Sequence, residues 1–172
     1  MASVEKIAVV QEAPAATVQD LFRSLTDHWR TSLRLAGVLA EDHGLVDRAC
    51  RAGYLRSLAS GKRFPMFQDL GPSSTACHLD GGGVLTAADA VRADIARGCD
   101  LVVLSKFGKL EAGGGGLRGA FDAALEAGVP VLTSVGRGFM PAWEAFAAPH
   151  FVALPADAGR IEQWWADVRP SP

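Results

Sequence analysis

The sequence is most informative in what it lacks. Among 172 residues the formal net charge is only −2, and no block of like charge occurs. That excludes the basic footprint a nucleic-acid-binding surface needs. The apolar runs are strand-length and too short to span a bilayer, so no membrane segment is expected. The first residues, Met1-Ala2-Ser3-Val4-Glu5-Lys6, lack the basic-then-apolar order of a secretory leader. Cysteine is scarce: Cys50, Cys77 and Cys99 are odd in number and form no CxxC. Reduced thiols and a cytoplasmic location are the expectation. Between Ile7 and Phe22 there is no glycine and no lysine.

What is present reads as alternating strands and helices. Residues 7–10 form an unbroken apolar run, the mark of a strand buried on both faces. Val18, Leu21, Phe22, Leu25, Trp29 and Leu33 fall at three- and four-residue steps, predicting a helix over 17–36. Thr17 would cap it, Asp20 would favour its dipole and Gly37 would stop it. A short strand follows at 38–40. Segments 54–57 and 64–68 are placed to pair as a hairpin across Ala59-Ser60-Gly61-Lys62, and 70–80 reads as an irregular loop.

Further on, a helix from Val84 ends at Gly98, followed by a strand at 101–104. A helix at 117–127 ends at Gly128, and a strand follows at 129–132. Pro141 opens a helix reaching Ala147. A strand at 151–154 and a helix at 158–168 close the pattern. Repeated strand–helix units imply an α/β fold: three layers, α/β/α, around a mostly parallel sheet, in one domain over 1–172.

Ligands of such folds bind at the carboxyl ends of the strands, which leaves four places. In the turn after the first strand (Gln11 to Thr17), a phosphate cradle would need glycines and a lysine. The length is about right, but both are missing, so Thr17 is either a plain cap or a hydroxyl beside free helix N–H groups. After the strand at 101–104, magnesium chemistry would need an acid. Ser105 and Lys106 stand there, with Lys109 near and Glu111 the next acid. The two lysines suit an anion or are merely solvated. The run Gly113, Gly114, Gly115, Gly116 leads into a helix with Arg118 close by; it is either an anion-binding turn or a flexible connector.

The last place is the loop 68–80. It carries Ser73, Ser74, Cys77, His78 and Asp80, which suit loop hydrogen bonding or ligand contact better than metal or nucleophilic chemistry. Glu41-Asp42-His43 reads as a solvated strand end. Trp143, Trp164 and Trp165 read first as core. An adjacent Trp pair cannot fully share one helix face, so one of the two is expected at a partner subunit, which leaves a homodimer open.

The run Asp100 to Glu111, the glycine-rich turn, Leu117-Arg118, and Gly128-Val129-Pro130-Val131-Leu132-Thr133 resemble the bacterial DUF2478 family. So do the hairpin 54–68, Asp69-Leu70-Gly71-Pro72-Ser73-Ser74 and Cys77-His78-Leu79-Asp80. This family is similar to THEP1-type nucleoside triphosphatases, so the resemblance implies a P-loop NTPase-like fold with a β-hairpin insertion. Those relatives carry an Asp-Glu pair where Ser105-Lys106 stand and a glycine-lysine loop at 11–17. In P-loop enzymes positioning and charge stabilisation supply nearly all the catalysis, so the scaffold is expected without its hydrolytic equipment.

Members of the family are often encoded beside molybdate-uptake genes, which implies an accessory role in molybdenum or metal metabolism. The resulting expectation is a non-catalytic nucleotide- or oxyanion-binding protein with no metal motif. A nucleoside triphosphatase or phosphotransferase with an atypical site, and a protein-interaction module, are the alternatives.

Overall fold

The structure is a computed structural model that describes residues 4–42, 44, 52–66 and 81–171. Strands are β1 (Ile7–Val10), β2 (Leu35–Asp42), β3 (Ala52–Ser57), β4 (Arg63–Pro65), β5 (Leu101–Leu104), β6 (Val131–Ser134) and β7 (Phe151–Leu154). Helices are α1 (Ala15–Trp29), α2 (Gly81–Arg97), α3 (Lys109–Ala112), α4 (Arg118–Ala127), α5 (Met140–Ala147) and α6 (Ala158–Val168), with a 3-10 turn at Arg137–Phe139.

The strands form one sheet in the order β4-β3-β2-β5-β6-β1-β7. β2, β5, β6, β1 and β7 run parallel, while β3 and β4 extend one edge as an antiparallel hairpin. All four residues of β1 and of β5 are buried, which is why they read as continuous apolar runs rather than alternating ones. Alternate residues point into two separate cores. Ile7, Val9, Val102 and Leu104 meet α2, α4 and α5 on one face; Ala8, Val10, Leu101 and Val103 meet α1 and α6 on the other. The architecture is therefore a three-layer, mostly parallel, P-loop NTPase-like α/β fold with a hairpin at its edge.

Most expected elements lie within a few residues of their predicted bounds, but the first helix is a correction. α1 stops at Trp29, and Gly37 lies inside β2 with φ +122°, opposite Val103 of β5. A Cβ on Gly37 would sit 1.9 Å from the Val103 carbonyl oxygen. The glycine is needed for strand contact and does not end a helix. Thr17 is no cap either: Pro14 holds that position, no side chain caps α1, and Thr17 is exposed in the first turn. Asp20 lies beyond that turn and pairs with Arg23.

Trp164 and Trp165 are also a correction, since both are buried. α6 lies against α1 and the residues that lead into β1. The Trp164 indole N–H donates to the Glu5 carbonyl at 2.9 Å, while Trp165 meets the Trp29 ring with centroids 6.3 Å apart. Two neighbouring elements thus cover two adjacent rings, and neither ring faces outward.

Candidate functional site

The parallel strands deliver their carboxyl ends to one side of the sheet. β1 leads into α1 on one face, whereas its neighbour β6 leads into α5 on the other. This divergence makes the crevice where open α/β sheets bind ligands. The turn after β1 contributes little to it. Its length is a correction as well: only residues 11–14 separate strand from helix, whereas a phosphate loop needs a longer glycine-rich arc before its lysine. Glu12 adopts φ +63°, a left-handed conformation that L side chains seldom take.

The end of β5 is held by three side chains, one from α1 and two from β6. The Ser105 carbonyl accepts from the Gln19 side chain at 3.1 Å and from the Ser134 hydroxyl at 2.8 Å. Thr133 donates its hydroxyl to the Leu104 carbonyl at 2.8 Å. Phe107 then pairs with Val135, prolonging the sheet by one bridge. These bonds fix where Lys106 leaves the backbone.

Beyond β5 the chain turns through α3, a short helix not anticipated from the sequence, and closes on itself through Glu111. This carboxylate is 5% exposed. One oxygen accepts the Gly108 N–H at 2.9 Å and the other the Leu117 N–H at 2.8 Å. A carboxylate accepting from backbone N–H groups makes charge-assisted bonds, so Glu111 acts as a clasp across residues 108–117. Gly116 makes room for it: its φ is +57°, and a Cβ there would lie 1.9 Å from the Glu111 Oε2.

The tetraglycine turn is therefore not an open anion cradle. The N–H groups of Gly113, Gly114 and Gly115 donate to the carbonyls of Lys109, Glu111 and Leu110, and that of Arg118 donates to Gly115. The N–H of Leu117, which an incoming anion would seek, already has the Glu111 carboxylate. Arg118 donates to the Glu111 carbonyl at 3.0 Å and lies 4.1 Å from the Phe146 ring centroid, a cation–π position.

Beside this clasp lies a cleft of about 280 Å³. It brings together Ser105, Lys106, Lys109 and Glu111 of the expected residues, walled by Leu55, Met66, Val84, Phe107, Leu110, Leu117 and Phe139. Thr17, Arg118 and Gly113 to Gly116 are not among its lining residues. Ser73, Ser74, Cys77, His78 and Asp80 lie outside the described residues, as does Cys50. Sequence reasoning missed the apolar wall. Its members come from β3, the residue after β4, α2, the segment after β5 and the 3-10 turn, and each alone reads as ordinary core.

Lys106 and Lys109 are exposed, and neither forms an ion pair among the described residues. Magnesium needs hard oxygen ligands. The β5 end presents a serine and an ammonium group, and its nearest acid is engaged by two N–H groups, so the residues present do not fit that ion. Among the described residues no three His, Cys, Asp or Glu side chains group as a metal site. Glu41 is likewise engaged, correcting its reading as a solvated strand end. Its two oxygens meet Arg56 at 2.6 Å and Arg63 at 2.8 Å, tying β2 to the hairpin.

Cys99 is half-buried at the opposite end of β5. Burial first, then the Asp100 carboxylate and Asp94, push its thiol above the ordinary range, with Arg34 opposing. Since the thiolate is the nucleophile, Cys99 should alkylate more slowly with iodoacetamide at pH 7.5 than a free cysteine does. Mass spectrometry of the residue over time checks this; a rate equal to or above that of free cysteine would contradict it.

Among the described residues no helix is long and apolar enough to cross a membrane. No solved structure matches the chain. The molybdenum import ATP-binding protein ModC 2 of Bradyrhizobium diazoefficiens is 40% identical over 166 residues, covering 95% of this chain and 18% of that protein. The chain thus spans less than a fifth of the relative's length. Residues 7–164 match the family described as protein of unknown function (DUF2478), and the chain belongs to that family.

Proposed function

We propose that the protein is a non-catalytic binding module for a small anion, a nucleotide or an oxyanion, seated at the carboxyl ends of its sheet. The observation carrying this reading is the pair of exposed lysines, Lys106 and Lys109, lining the strand-end cleft without an ion pair among the described residues. Glu111, the acid best placed for hydrolysis, has both oxygens engaged by backbone N–H groups. That arrangement supports binding over turnover. The likeness to part of a molybdenum import ATP-binding protein supports an accessory role in molybdenum uptake. The matched part is a small share of that protein, so the ATP binding in its name is not thereby placed in this segment.

The test is a thermal-shift panel of ATP, GTP, ADP, molybdate, phosphate and sulfate at millimolar concentration. A ligand at 100 times its Kd stabilises by about 2.7 kcal/mol, and at this chain length each kcal/mol raises Tm by about 2–4 °C. A rise of roughly 5–10 °C is expected with at least one ligand, and Lys106→Ala with Lys109→Ala should remove it. No rise with any ligand would count against binding. Magnesium-dependent phosphate release that disappears in Glu111→Gln would favour a hydrolase instead.

A further inference from the structure

We infer that the cleft takes an organic anion, a phosphate or carboxylate carried on a flat apolar body, in preference to a free inorganic oxyanion. This rests on the reading that the strand-end cleft is the binding site, and it narrows the ligand class. Among the described residues, the polar side chains lining the cleft (Ser105, Lys106, Lys109 and Glu111) all come from the segment after β5, which also contributes Phe107, Leu110 and Leu117, whereas Leu55, Met66, Val84 and Phe139 come from other parts of the chain and carry no polar side chain. The cleft thus carries its charge on one segment, while hydrocarbon or an aromatic ring comes from every segment that walls it.

Size points the same way. A cleft of about 280 Å³ has room for several waters. A tetrahedral oxyanion would displace only a few of them and leave the rest against apolar side chains. It would also lose hydration beside a wall whose side chains offer no donors, which is unfavourable. A flat apolar body releases that water from Leu55, Met66, Val84 and Phe139, and the gain grows with the area covered. Lys106 and Lys109 suit the charged end. Each is a point charge on a flexible stem, able to reach a phosphate or a carboxylate at the mouth without a preset fork geometry.

Titration calorimetry on the full chain tests this with phenyl phosphate, adenosine monophosphate, benzoate, inorganic phosphate, molybdate and neutral phenol. Phenyl phosphate or adenosine monophosphate should bind at least about tenfold more tightly than inorganic phosphate or molybdate. Benzoate separates a carboxylate from a phosphate as the preferred charged end. Phe139→Ala, at a half-buried position, should weaken the ring-bearing anions about tenfold, a larger loss than inorganic phosphate shows. Lys106→Gln with Lys109→Gln should weaken every anion.

Inorganic phosphate or molybdate binding as tightly as phenyl phosphate, and still dependent on both lysines, would overturn the inference while leaving the binding site standing. Phenol binding as tightly as phenyl phosphate would overturn the anionic requirement. No binding by any of the six would overturn both the inference and the site.

Discussion

Glu111→Ala should lower unfolding free energy by about 2–6 kcal/mol, because each buried N–H left without an acceptor costs about 1–3 kcal/mol. The two donors are those of Gly108 and Leu117. At about 2–4 °C per kcal/mol, Tm should fall by roughly 4–24 °C. Glu111→Gln should lie between wild type and Ala, since an amide keeps one acceptor but turns its NH₂ toward an N–H. Gly116→Ala should also be costly: its Cβ would meet Glu111 Oε2 at 1.9 Å and Leu110 Cβ at 2.8 Å, at φ +57°.

The double variant separates these causes. Removing the carboxylate removes the first overlap, so Glu111→Ala with Gly116→Ala should be less destabilised than the sum by about 1 kcal/mol or more, the coupling expected of residues in contact. Urea melts of the four proteins measure it. Strict additivity would mean that the clasp and the glycine are unrelated.

Gly37→Ala should have an effect at the upper end of the Glu111→Ala range or beyond it. Its φ of +122° disfavours any side chain, and the new Cβ would lie 1.9 Å from the oxygen and 2.7 Å from the carbon of the Val103 carbonyl. Both are backbone atoms of the adjacent strand β5, so no side chain can turn aside, and relief requires parting β2 from β5. A loss above about 4 kcal/mol is expected, in the range reserved for disruption of the core or backbone. Gly61→Ala is the control. It too has positive φ (+77°) but nothing within 4 Å of a Cβ, so it should cost only about 1–3 kcal/mol of conformational strain. Equal losses in the two variants, read from chemical denaturation, would show that strain alone matters at Gly37.

Gly37 also shows why part of the fold could not be read locally. After the stripe from Val18 to Leu33, a glycine has the same appearance whether it ends a helix or lets two strands approach. Only the opposing Val103 distinguishes the cases, and it lies far along the chain. The Trp164-Trp165 pair is similar. Helical geometry separates the two rings, and nothing local tells that α1 and the start of β1 cover one each. The hairpin, by contrast, was legible, because its strand runs flank a compact turn and its pairing is local: Leu55 faces Phe64 across it.

The residues by themselves established the alternation of strands and helices, since burial on two faces demands continuous apolar runs and burial on one demands a stripe. They also established that the turn after β1 lacks the glycine and lysine of a phosphate cradle and that no acid directly follows β5, because those are matters of residue type. Only the tertiary structure decided which N–H groups remain available, and what wall faces Lys106 and Lys109. A hydrogen-bond donor is free or engaged according to what lies within about 3 Å of it. Glu111 reaches Leu117 across a loop, and the apolar wall gathers distant segments. Such proximities arise from folding in space and leave no local mark on the chain.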